Sequence, residues 1–215
     1  MHKTFITLML IVAATVTALA QQPGVDLEGQ SLKPIHFSLY AEAGGAYTTY
    51  HSTDKAIDPT FGSVIGPNAG VGVNMRFLRR DPSDPAMNGW LALQAGVHYD
   101  RTGFKADGTK FTLDNLCIPV ELQFYPIRDL YVCAGPEFCI NLGLKPKAAS
   151  VMGMDIALDG HKANDLRLGF GAGYMLPSIP LGLNVKYLIG TSKFSDNLPW
   201  KGNQVRVSLF YRFGL

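Results

Sequence analysis

Past Ala20 this 215-residue chain has no long hydrophobic run. No later stretch holds the roughly twenty apolar residues that a membrane helix needs. Any crossing of a bilayer must therefore be made by a closed barrel, which satisfies every backbone polar group internally. An excess of one charge is also missing. The chain has 19 Lys and Arg against 17 Asp and Glu, a net charge of +2, which offers nucleic acid no strongly basic face. Cysteine is scarce at three residues, and none directly follows Ala20, which argues against a lipid-modified N-terminus. His36, His51, His98 and His161 lack metal-ligand spacing, and none forms a recognisable triad with Ser38 or Ser208. The sequence thus assigns no catalytic residue, no metal ligand and no cofactor.

What is present begins with an export signal. Lys3 is followed by an apolar run from Phe5 to Val16 and by Ala18-Leu19-Ala20, the pattern of a cleaved signal peptide over residues 1–20. Residues 21–34, rich in Gln, Gly, Pro and Asp without periodicity, read as a flexible periplasmic lead-in. Residues 35–215 read as the barrel domain.

That domain is organised around Asn115 to Leu144. In Leu116, Ile118, Val120, Leu122 and Phe124 one parity is apolar, while Cys117, Glu121 and Gln123 hold the other. Strand side chains alternate between faces. The same alternation predicts strands at Ile35–Tyr47, Ala69–Phe77, Trp90–Tyr99, Asn115–Phe124, Leu130–Leu142, Leu166–Leu176, Leu181–Ile189 and Gln204–Leu215. The 23 glycines and 11% aromatic residues suit closely packed strands. Connections after strands one, five and seven are long, those after four and six are short, and those after two and three are intermediate and do not bear on the alternation. Outer-membrane barrels share this asymmetry, with short periplasmic turns and longer external loops. The predicted fold is an all-β, eight-stranded antiparallel up-and-down transmembrane β-barrel with both ends periplasmic. A lipocalin-like soluble barrel is the alternative, and it would need the apolar parity inside. The chain closes on alternating apolar residues up to Leu215, the kind of signal read by barrel assembly machinery, although an aromatic is usual in the last place.

Parity also collects the lumen charges: Glu42, Asp100, Glu121 and Glu137 against Arg76, Arg167, Lys186, Arg206 and Arg212. Eight strands leave an interior that side chains just fill, so these charges must pair or stay hydrated. The acids lie on strands one, three, four and five, and most bases on six to eight. Opposite signs are therefore expected to meet across the lumen as a structural plug. Tyr47, Trp90, Tyr99, Phe124, Tyr125 and Trp200 fall near strand ends and suit interface girdles. Pro119 and Pro136 predict local bulges. Cys117, Cys133 and Cys139 share the inward parity. A turn centred near Arg128 opposes residues whose numbers add to about 256, which sets Cys117 against Cys139. Opposed residues come close enough for a disulfide with modest adjustment, and an exported chain meets oxidising conditions. Three reduced thiols filling the lumen are the alternative.

Three segments carry a resemblance: Leu91 to Lys105, with a Gln94-x-Gly96 core; Asn115 to Pro126, with Leu116-x-Ile118-Pro119; and Gln204 to Phe213. They resemble the PorT-type outer-membrane β-barrel family. The resemblance implies an eight-stranded barrel in the cell outer membrane, surrounded by outer-membrane lipid and inserted by the barrel assembly machinery. Most members have no defined activity, and a few act in protein secretion. The expected role is structural or interactive, through external loops toward an unidentified partner. A lipid-modifying outer-membrane enzyme, a narrow pore and a secretion accessory are the alternatives.

Overall fold

The computed structural model describes residues 24–25, 31–32, 35–52, 62–79, 89–106, 109–145, 148–151, 154–157, 164–192 and 200–214. The predicted signal peptide and most of the predicted lead-in lie outside the described residues, as does Leu215. Within the lead-in, Gly24–Val25 pairs antiparallel with Ser31–Leu32, so this stretch is not wholly irregular.

Eight strands close into one barrel. They are β1 (Ile35–Ser52), β2 (Gly62–Arg79), β3 (Gly89–Ala106), β4 (Thr109–Phe124), β5 (Leu130–Lys145), β6 (Asn164–Met175), β7 (Leu181–Gly190) and β8 (Trp200–Gly214). Each strand pairs antiparallel with the next, and β8 closes on β1 from Trp200–Ser52 to Gly214–Ser38. No helix among the described residues is long and apolar enough to cross a membrane.

The faces sort as alternation requires. On β8, Val205, Val207, Leu209, Tyr211 and Phe213 are exposed, while Gln204, Arg206, Ser208 and Arg212 are buried. A soluble barrel would reverse this. The outward face also records the height of the apolar band. On β3 it runs Leu91, Leu93, Ala95, Val97, Tyr99 and then changes to Arg101 and Lys105; on β4 it runs from Phe124 back to Leu116 and then changes to Asp114, Thr112 and Lys110. Leu91 to Tyr99 is about the length that a tilted strand needs to cross the hydrocarbon. At the change, Asp114 accepts hydrogen bonds from the Tyr99 hydroxyl and from Arg101 Nε, each at 2.7 Å. At the opposite edge Trp90 and Phe124 stack outside, with ring centroids 6.1 Å apart.

Four expectations change. The stretch between the predicted strands Trp90–Tyr99 and Asn115–Phe124 is mostly strand: β3 runs to Ala106, which pairs with Thr109. Above the lipid band the outward residues turn polar, so apolar alternation fades while the backbone ladder continues. Asp-Gly is a recognised two-residue hairpin signal. Similarly, β1 runs past the predicted end at Tyr47 to Ser52, and β2 begins at Gly62, ahead of the predicted start at Ala69. The long connection 145–164 contains a small hairpin, Ala148–Val151 with Met154–Ala157. Finally, no register shift occurs at Pro119 or Pro136. The β4–β5 shift lies between Asp114 and Asn115, because a proline removes a donor without adding a residue to the strand.

The lumen charge network and the barrel mouths

The lumen is filled by polar side chains contributed from every strand. At its centre Arg206 on β8 donates to Glu137 on β5 from Nη1 and Nη2, both at 2.9 Å. Arg206 Nη2 also lies 3.3 Å from Asp100 Oδ2. Arg167 on β6 donates to Asp100 at 2.9 Å and, through Nε, to Asp165 at 2.8 Å. Gln204 Nε2 donates to both Asp100 oxygens at 2.9 Å. Lys186 on β7 donates to Glu121 on β4 at 2.7 Å. Each of the pairs β8–β5, β6–β3 and β7–β4 joins strands three apart round the barrel, so these ion pairs span the lumen. Such pairs are shorter and stronger than neutral hydrogen bonds. In a dry interior they offset the desolvation that would otherwise expel the charges.

Beside them, His98 sits between Tyr40 and Glu42. Its Nδ1 is 3.2 Å from Glu42 Oε1, and its Nε2 is 3.0 Å from the Tyr40 hydroxyl. Asn184 Nδ2 donates to the second Glu42 oxygen at 2.9 Å. Space for this group comes from Gly70, Gly72 and Gly96. A Cβ at Gly70 would strike the His98 ring, and one at Gly96 would strike the Tyr40 hydroxyl. The order hydroxyl, imidazole, carboxylate resembles a catalytic relay, but Tyr40, His98 and Glu42 are 2%, 1% and 4% exposed.

All nine charged residues expected in the lumen are buried there, and seven of them stand in the ion-pair network with its His98 contact. The other two, Arg76 and Arg212, lie at the turn end. The Arg76 guanidinium carbon is 3.7 Å from the Tyr125 ring centroid, and Arg212 Nη1 donates to the Tyr125 hydroxyl at 3.1 Å. Cys117 and Cys139 oppose each other and are joined as a disulfide, while Cys133 is a buried free cysteine. Glu137 lies beside this bridge, but bonded sulfurs offer a metal no thiolate. Of the serines weighed as nucleophiles, Ser208 donates to Asn68 at 2.8 Å, and Ser38 lines the turn-end mouth. His51 is exposed, and His161 lies outside the described residues.

Tyr125 and Trp200 belong to the interior, not to the interface girdles. They are 1% and 2% exposed. Trp200 has the parity of Gln204 and Arg206, and Tyr125 has that of Gln123, so both point inward. Trp200 packs edge-on against Phe104, with centroids 5.8 Å apart. Sequence reasoning left Tyr40, Gln204 and Asn184 out of the network. Their inward parity was the available signal.

The profile of the outer membrane protein beta-barrel domain family matches residues 6–213. The chain belongs to this family. No curated protein matches it. Among solved structures, Neisserial surface protein A is 17% identical, with a TM-score of 0.48 over 81% of this chain and 96% of that one. Ail, the attachment invasion locus protein of Yersinia pestis, is 14% identical, with a TM-score of 0.44 over 83% of this chain and 99% of that one. The NanC porin is 11% identical, with a TM-score of 0.30 over 81% and 98%.

This family member is a small outer-membrane β-barrel protein, and its two barrel mouths differ. At the loop end, Thr48, Tyr50, Thr102, Trp200, Gln204 and Arg167 surround a cavity of about 30 Å³, little more than a water needs. The turn-end mouth holds a cavity of about 330 Å³ walled by Met175 to Pro180 on one side and by Arg76 and Arg212 on the other.

Proposed function

We propose that this protein is a non-conducting outer-membrane barrel, with its lumen plugged by paired charges and its role carried by the external loops. The observation that supports this reading is the central network. Asp100, Glu137, Arg167 and Arg206 are each buried and bonded across the axis of a barrel whose width leaves little room besides. A conducting path would have to break several of these bonds at once. The strand ends that bracket 53–61, 146–163 and 193–199 lie at the same end as the β3–β4 hairpin, and the connections between them are the segments we assign to a protein or cell-envelope partner. The protein is exported by residues 1–20, carries its lead-in on 21–34 and folds over 35–215. It is not an enzyme: the Tyr40–His98–Glu42 relay is sealed from solvent, and neither mouth cavity includes it. Within the family, the segments Leu91–Lys105, Asn115–Pro126 and Gln204–Phe213 support a PorT-type member.

Planar-bilayer recording tests the plug. Purified protein inserted into a bilayer in molar KCl is expected to give no discrete conductance steps. Replacing Glu137 and Arg206 together by alanine is expected to produce small ones. Steps from the unmodified protein would overturn the reading in favour of a narrow pore. A change in lipid A acylation on expression, lost with Tyr40→Phe, would overturn it in favour of an enzyme.

A further inference from the structure

We propose that the turn-end mouth is a binding site for a small oxyanion, a phosphate or carboxylate held chiefly by Arg212. The inference goes beyond the plugged-barrel reading and holds whether or not the lumen conducts. It starts from a contrast among the interior cations. Arg167, Lys186 and Arg206 each meet a carboxylate within 3 Å. Arg212 is 8% exposed, and no carboxylate among the described residues pairs with it. Its Nη1 is spent on the Tyr125 hydroxyl, and its buried Nε has no hydrogen-bond partner among them. A buried guanidinium in that state costs free energy unless water or an anion completes it.

The surroundings favour an anion. Arg76 lies over the ring of the same Tyr125, so two positive groups meet at one phenol. Arg76 donates to the carbonyls of Gly89 and Arg128 at 2.8 and 3.0 Å, which holds it at the rim. The cavity beside them has a volume of about 330 Å³, within the range of small-ligand pockets. Among the described residues its lining carries Arg76, Arg128 and Arg212 against a single acid, Asp129, with Ser38 and Asn74 as further hydrogen-bonding groups. Arg212 lines this cavity while its Nε–H is enclosed; a small turn of the side chain would bring that Nε–H and the adjacent Nη2 to an oxyanion as a fork, the geometry in which arginine binds carboxylate and phosphate best. Leu176, Pro177, Ile179 and Pro180 form the apolar wall, which limits competing water.

The test follows the Arg212 Nε–H resonance of ¹⁵N-arginine-labelled protein in lipid nanodiscs during addition of inorganic phosphate at ionic strength held constant with NaCl. The expected result is a saturable shift at millimolar phosphate, a similar response to acetate, and a parallel shift of Arg76 Nε. In Arg212→Gln the Arg76 response should disappear, and in Arg212→Lys, which keeps charge without the fork, it should weaken about tenfold. Asp129→Asn should tighten binding by removing an opposing carboxylate from the cavity wall. Folding of each variant is checked by the heat-dependent mobility of the barrel in gels. No saturable shift in folded wild-type protein, or an Arg76 response unchanged in Arg212→Gln, would overturn the proposal.

Discussion

Arg206 and Glu137 join β8 to β5 across the lumen through two parallel hydrogen bonds of 2.9 Å each. Both side chains are fully enclosed, so neither charge can fall back on water. Arg206→Met leaves Glu137 and Asp100 sharing Arg167 and should destabilise the barrel by about 3–5 kcal/mol, the cost of breaking a buried pair from one side. Combining it with Glu137→Gln should recover most of that loss, because the uncompensated charge goes with it. Urea titrations of refolding into lipid vesicles measure both. Equal losses in the single and double variants would mean that the pair contributes packing alone.

How much of this was legible beforehand depends on the distance over which each feature is decided. Parity is local. It follows from the alternation of residues such as Gln204, Val205, Arg206 and Val207, so the inward set and the fold could be read directly. The Cys117–Cys139 opposition was also readable, because one short turn sets its register. The partners of Arg206 and Lys186 were not. They depend on the stagger of strands three apart in a closed barrel, which no window of sequence contains. The ends of β3 and β4 were missed for another reason. Above the lipid band the outward residues Arg101, Lys105 and Asp114 no longer contrast with the inward ones, and the period that marks a strand is lost.

The lipid face should show its depth in energies. Val185 is outward, half exposed and midway along β7, whereas Leu142 is outward near the loop end of β5. Val185→Arg should cost about 2–4 kcal/mol and Leu142→Arg about 0–1, since charge on the outer wall is penalised most at the bilayer midplane. The same refolding titration reads the difference. Equal costs at the two positions would contradict the height of the apolar band drawn from Leu91 to Tyr99.

The two ends of the barrel should face different compartments. The even-numbered strand count brings Ile35 and Gly214 to the mouth that carries the turn 125–129, and the longest connection, between Lys145 and Asn164, lies at the other. With short turns periplasmic, a cysteine at Ser150 in an otherwise cysteine-free variant should react with a membrane-impermeant maleimide on intact cells. One at Arg128 should react only after the outer membrane is permeabilised. The reverse pattern would invert the assignment and would move the arginine-lined mouth to the cell surface.

The three cysteines should behave unequally. Cys117 and Cys139 are directly opposed on β4 and β5 and bonded to each other, and Cys133 stands alone three repeats of the pleat nearer the short connection. All three point into the lumen, where a reagent cannot reach them in the folded barrel. Protein extracted under alkylating conditions and then unfolded without reductant should therefore take up a single label, at Cys133, with Cys117 and Cys139 recovered as one cross-linked peptide pair. Reduction before alkylation should raise the count to all three. Because the barrel closes through backbone ladders and the charge network, Cys117→Ala with Cys139→Ala should still fold. Its refolding midpoint should fall modestly, since the bridge closes a loop that the β4–β5 hairpin already holds together. Three labels without reduction would remove the bridge, and complete failure of the double variant to fold would make the bridge a requirement of the barrel and not an addition to it.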